Sequence, residues 1–185
     1  MSDEETLERN KLLLEIMTHV YDEDERRNTL VDSKNSQMII LTGSMLTLQA
    51  TLINKLFIDT ILLNNQILVG FWCKFSLATI LFVSTGLYFI SMKKFIDAYT
   101  FKDNYKIAPA HDSIIDTLNH DCSESDVVEG MLCVYDESML ENDNIINKKV
   151  KMGCRGFLFL KIAGIFTLIF LFLCILVLFS YPIVL

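Results

Sequence analysis

Glu23-Asp24-Glu25-Arg26-Arg27-Asn28-Thr29-Leu30-Val31-Asp32-Ser33-Lys34 leads, after Asn35 and Ser36, into the apolar stretch QMIILTGSMLTLQATLINKLFI at 37–58. A hydrocarbon core about 30 Å thick needs roughly 20 helical residues to cross it, and this stretch is long enough. Two further apolar runs of sufficient length follow at 67–92 and 156–185. A spanning segment must satisfy its own backbone hydrogen bonds, and three segments cannot close a barrel, so helices are the expected solution. The expected fold class is an all-α integral membrane protein with three transmembrane helices. Its expected parts are an N-terminal amphipathic cytoplasmic helix (1–36), a transmembrane hairpin (37–92, with spans at about 37–58 and 67–92), a helical cytoplasmic insert (93–155) and a third transmembrane helix (156–185).

With 185 residues and 52% hydrophobic content, the chain reads as one compact unit. A net charge of −7 argues against a nucleic-acid polymer as partner, which calls for a basic stripe, and leaves the lipid bilayer as the first expected partner. Cys73, Cys122, Cys133, Cys154 and Cys174 form no CxxC pair, a pattern that suits reduced, packing thiols. Residues 1–20 are acidic and carry no apolar core with a small-residue cleavage site, so the spans themselves are expected to drive insertion.

Basic residues set the expected orientation. Arg9, Lys11, Arg26, Arg27 and Lys34 precede the first run. Lys93 and Lys94 follow the second, and Lys148, Lys149, Lys151 and Arg155 precede the third, while 59–66 holds no Lys or Arg. By the positive-inside rule the N-terminus and 93–155 are cytoplasmic and the C-terminus is external, in a multi-pass plasma (inner) membrane protein.

Along the chain, Leu7, Leu14, Met17 and Tyr21 recur at helical spacing over 5–35, and no Pro or Gly interrupts before the first run, so this helix is able to continue into it. Pro109 breaks a helical extension of the second run. A short helix is expected over about 113–119, and 122–125 reads as a turn and cap. From 126 to 151 a second amphipathic helix feeds the last run through Gly153 and Gly156. No internal repeat is read.

Within the first run, Gln37, Ser44, Thr47, Thr51, Asn54 and Lys55 fall on one face at 100° per residue. Two readings stand. Polar groups facing lipid are costly, so the stripe lines a pore or a self-association seam; or it packs within the chain, with Gly43 aiding close approach. Lys74, inside the second run, is either a functional ionisable group or a lysine snorkelling to the outer interface. The last run, polar only at Gly164, Thr167 and Cys174 over 162–179, reads as a lipid-facing anchor.

Ahead of the first run, Arg27, Asn28, Asp32 and Lys34 form the candidate ligand-binding set. Arg with Asn and Lys grips a phosphate or carboxylate, Arg through its planar fork. The competing reading is a solvated, salt-bridged helix end. There is no GxxxxGK[ST], GxGxxG, HExxH or GxSxG motif, so no enzyme, no cofactor and no metal site is expected. His19, His111 and His120 match no established ligand spacing.

Two segments carry a resemblance. Arg27-Asn28-Thr29-Leu30-Val31-Asp32-Ser33-Lys34 enters the first span, and Asn144-Ile145-Ile146-Asn147-Lys148-Lys149-Val150-Lys151-Met152-Gly153 leads into the last. With the order of parts over nearly the whole chain, these resemble the Pycsar transmembrane effectors and, more distantly, the SLATT effector domains, small prokaryotic membrane proteins. Asn35 stands where a small Ala is common, and Val150 departs within the late motif. The resemblance implies antiviral defence: a partner cyclase makes a cyclic nucleotide on infection, the effector senses it and oligomerises, and membrane integrity is impaired. A non-enzymatic membrane scaffold or interaction protein is the alternative.

Overall fold

The computed structural model describes residues 3–62, 71–101 and 123–180, all helical apart from Phe101 and Ser123. Helix α1 spans Asp3–Thr51 and passes into a π-helical segment, Leu52–Leu62. Helix α2 spans Phe71–Thr100 and helix α3 spans Glu124–Ser180. Three helices are long and apolar enough to cross a membrane.

No Gly or Pro precedes Gly43 in α1, and the helix runs unbroken for 49 residues. The expected late amphipathic helix and the last apolar run form one 57-residue helix, with Gly153 and Gly156 in its interior. Ser123 caps its start. The Ser123 hydroxyl accepts from Asp126 N at 3.3 Å, and Ser123 N donates back to the Asp126 carboxylate at 3.2 Å, closing a reciprocal capping box. The helical extension to Tyr105, the Pro109 break, the 113–119 helix, His111, His120 and Cys122 lie outside the described residues.

The chain divides into two compact units where one was expected: Met1–Ser33 with Tyr99–Val150, and Lys34–Ala98 with Lys151–Leu185. In the first unit Tyr21 and Tyr135 meet edge to face, ring centroids 5.5 Å apart, among Leu14, Met17, Val134 and Met139. Lys11 pairs with Glu124 at 2.6 Å nearer the helix starts, so α1 and α3 run parallel within this unit.

The second unit is built on a repeat that an apolar pattern does not reveal. On α2 the buried residues are Leu77, Leu81, Ser84, Tyr88, Ser91, Phe95 and Ala98, an unbroken alternation of four- and three-residue steps. On α1 the buried Asn35, Thr42 and Gln49 stand seven apart, with half-buried Met38, Met45 and Leu52 between them. On α3, Gly156, Leu160, Ala163, Thr167, Phe170 and Cys174 repeat the spacing. Such a seven-residue rhythm is a coiled-coil seam. Two apolar clusters fill it, Leu77–Leu81–Phe170–Cys174 and Tyr88–Phe95–Leu160–Ala163. α3 thus forms one wall of the core and is not the purely lipid-facing anchor expected.

Outside, the unit is greasy: Ile40, Phe82, Phe89, Phe172 and Phe179 are 60–85% exposed. Lipid is as apolar as Leu, so helices in a bilayer gain little by hiding such residues and associate instead through close packing and polar contacts. Small and polar residues inside with bulky apolar residues outside is the distribution that physics favours.

Candidate functional site: polar clusters on the helix seams

The expected ligand-binding set lies on α1, and the structure gives three of its four residues partners on α3. The Lys149 ammonium, its side chain fully buried, donates to Asn28 Oδ1 at 2.8 Å and to both Asp32 oxygens at 2.9 and 3.1 Å. Asn28 and Asp32 are one helical turn apart on α1, so both reach the same ammonium. A buried charge needs a partner and hydrogen bonds to offset its lost hydration; Asp32 supplies the charge and Asn28 the extra acceptor.

Beside it a second, more exposed cluster closes on itself. Arg27 donates through NH1 to Asp143 Oδ1 at 3.0 Å and through NH2 to Asn147 Oδ1 at 3.1 Å. Asn147 Nδ2 in turn donates to Asp143 Oδ2 at 2.8 Å. The two segments that carry the family resemblance therefore meet side chain to side chain, 117 to 121 residues apart in sequence. From the late segment the docking residues are Asn147 and Lys149, with Asp143 just before it. Asn144 is exposed and bonds its own helix, to Leu140 O, and Lys148 is exposed. Lys34 is also exposed. The neighbouring face of α1 forms an open groove of about 580 Å³ lined by Asp22, Glu25, Arg26, Thr29, Leu30 and Ser33, whose two acids disfavour a phosphate.

The stripe faces outward. Gln37, Ser44, Thr47, Thr51 and Asn54 are all exposed, while Asn35, Thr42 and Gln49 are the polar residues of α1 that point into the core. A Cβ added at Gly43 would meet nothing within 4 Å, so Gly43 serves no close approach in the fold. The stripe costs less in lipid than bare hydroxyls would. Ser44, Thr47 and Thr51 donate to the carbonyls of Ile40, Gly43 and Thr47 four residues back, at 3.0 to 3.1 Å. Asn54 lies in the π-helical segment, whose i→i+5 bonds change the angular step, so the α-helical phase does not carry to it. Lys74 sits in the first turn of α2 and is partly buried.

Inside the second unit the Thr167 hydroxyl is a hub. It lies 2.8 Å from Ser84 Oγ and 3.3 Å from Tyr88 OH, and its proton points to Ala163 O at 3.0 Å or Gln49 Oε1 at 3.2 Å. Ser84 also reaches Ala163 O, and Ser91 donates to Gly156 O at 2.8 Å. The Gln49 Nε2 and Asn35 Nδ2 groups are buried with no protein acceptor, and a dry unsatisfied donor costs about 1–3 kcal/mol. Of these core side chains only Asn35 and Thr167 were named from sequence, neither as a core contact. Their signal was the seven-residue spacing of Asn28, Asn35, Thr42 and Gln49.

Two glycines admit close approach here. A Cβ at Gly156 would stand 3.0–3.2 Å from the buried Phe95 ring, and one at Gly153 would stand 2.7 Å from Asn35 Oδ1. Among the described residues no group of three or more His, Cys, Asp or Glu side chains converges as a metal site, and Cys73, Cys133, Cys154 and Cys174 are free thiols. Comparison with family models, curated proteins and solved structures finds no match to this chain.

Proposed function

We propose that this chain is a non-enzymatic membrane effector that self-associates in a prokaryotic plasma membrane and impairs its integrity. Its N-terminus and the 93–155 segment are cytoplasmic and its C-terminus external. The observation that carries the reading is the outward stripe. Along that face, Gly43, Thr47 and Thr51 present small residues at four-residue spacing, the pattern by which spans approach one another closely. Antiviral defence and a cyclic-nucleotide trigger rest on the family resemblance. Replacing Thr47 and Thr51 together by Leu tests the reading. Insertion should persist, while oligomer size in detergent falls or toxicity on overexpression disappears. Wild-type behaviour in both assays would remove the stripe from the mechanism.

A second reading, a membrane scaffold with no ligand-driven opening, is favoured by one observation. Arg27, Asn28 and Asp32 are engaged by Asp143, Asn147 and Lys149, so a phosphate ligand competes with the Asp143 carboxylate for Arg27. Titration of the full-length protein with cyclic mononucleotides separates the two: saturable binding lost in Arg27→Ala supports the effector, and no binding supports the scaffold.

A further inference from the structure

The membrane-compatible unit contains two amide groups that helix packing leaves unanswered. Asn35 is 5% exposed and Gln49 is 1% exposed, and neither Asn35 Nδ2 nor Gln49 Nε2 finds an acceptor among the protein atoms. They stand two heptads apart on the inward face of α1, with the buried Thr42 hydroxyl between them, and that hydroxyl is turned to its own helix at Met38 O, 2.7 Å away. Beside Gln49 lies the Thr167–Ser84–Tyr88 hydroxyl cluster. Beside Asn35 lies Gly153, whose missing side chain leaves the space that the amide occupies.

We propose that this inward polar seam is a site for interior water, with one water accepting from Asn35 Nδ2 and another from Gln49 Nε2. The chemistry of the lining selects water over an ion. The unanswered groups are N–H donors, which repel a cation, and the oxygens beside Gln49 are neutral and already share hydrogen bonds with one another. No charged side chain is among the buried residues described in this unit, so an anion would lack a counter-charge. A water accepts from an amide and donates onward to a hydroxyl or carbonyl, and a buried water typically makes about three such bonds. Gln49 is the better-equipped level, because Thr167, Ser84 and Tyr88 offer oxygens next to it. The inference is independent of the defence reading: it concerns the resting bundle and requires neither a trigger nor oligomers.

Water-to-protein magnetisation transfer in solid-state NMR, on the full-length protein in perdeuterated lipid bilayers, tests it. The side-chain amides of Asn35 and Gln49 should receive water magnetisation at a rate near that of the exposed Asn144 amide and several-fold faster than the backbone amide of fully buried Phe170. Gln49→Met, of similar length and flexible, removes one donor. It should abolish the fast transfer around Thr167 while Asn35 retains its own. Transfer to both amides as slow as to Phe170 overturns the proposal, as does fast transfer around Thr167 that survives Gln49→Met. Should that variant fail to fold, the wild-type rates at Asn35 and Gln49 decide the matter alone.

Discussion

Lys149 places its ammonium 2.9 Å from the Asp32 carboxylate with no part of its side chain open to solvent. The contact joins the two segments ahead of the first and last apolar runs, and it makes the register of α3 against α1 in the first unit a matter of charge as well as shape. An apolar core tolerates sliding by partial compensation, whereas a buried ammonium displaced from its carboxylate has nowhere to go.

The pair is therefore expected to respond asymmetrically to substitution. Lys149→Met or Asp32→Leu alone strands a charge, and loss of about 3–5 kcal/mol of stability is expected. The double variant Asp32→Leu/Lys149→Met should recover most of that loss, since a well-packed apolar replacement is often neutral. Chemical unfolding of the three variants in detergent gives the comparison. A double variant no better than the worse single one would show that neither side chain acts through the other.

Arg27 belongs to a different class. Its side chain is 46% exposed and Asp143 is 50% exposed, so their pair is expected to contribute only about 0.2–1 kcal/mol. Arg27→Ala should leave insertion and thermal stability close to wild type. If the effector reading holds, the same variant loses ligand-dependent activity. A large stability loss would instead mark the Arg27–Asp143–Asn147 triangle as structural.

Gly156→Ala would place a methyl 3.0–3.2 Å from the ring of Phe95, which is 1% exposed and must shift by a few tenths of an ångström to admit it. Overpacking of this kind costs typically about 1–3 kcal/mol. Pairing it with Phe95→Leu should restore part of the loss. Melting temperatures that fail to improve in the double variant would place the strain in the backbone of α3.

Orientation is open to a direct check. Reporter fusions at residues 62, 120 and 185 should read outside, inside and outside. A cytoplasmic signal at 185 would overturn the expected external C-terminus.

How much of this was readable beforehand depended on which residues carried the signal. The three long helices were legible because apolar runs of sufficient length have few alternatives, and the Ser123 cap because Ser-x-x-Asp at a helix start has a specific chemistry. The core seam was missed for a physical reason. A search for periodicity in apolar residues passes over Asn35, Thr42, Gln49, Ser84 and Ser91, which hold the heptad positions that leucines fill in soluble coiled coils. Arg27, Asn28 and Asp32 and, separately, Lys149 were each named from sequence without being paired, because the contact between Lys149 and Asn28 and Asp32 spans more than a hundred residues. Spacing alone gave no sign of whether Gln37, Ser44, Thr47 and Thr51 point inward or, as in the structure, are exposed.

The exchange of roles between small polar and large apolar side chains has a consequence for how this chain can vary. At Phe82, Phe172 and Phe179, lipid accepts any bulky hydrocarbon, so Leu, Ile and Phe should substitute for one another freely. At Ser84, Ser91 and Gly156 a single added methyl or lost hydroxyl alters packing or bonding between helices. Substitutions that look drastic by hydrophobic bulk will then be tolerated, and those that look trivial, such as Ser→Ala or Gly→Ala, will be selected against. In a deep mutational scan the tolerant positions of this unit would be its most hydrophobic ones, the reverse of the order expected for a water-soluble domain.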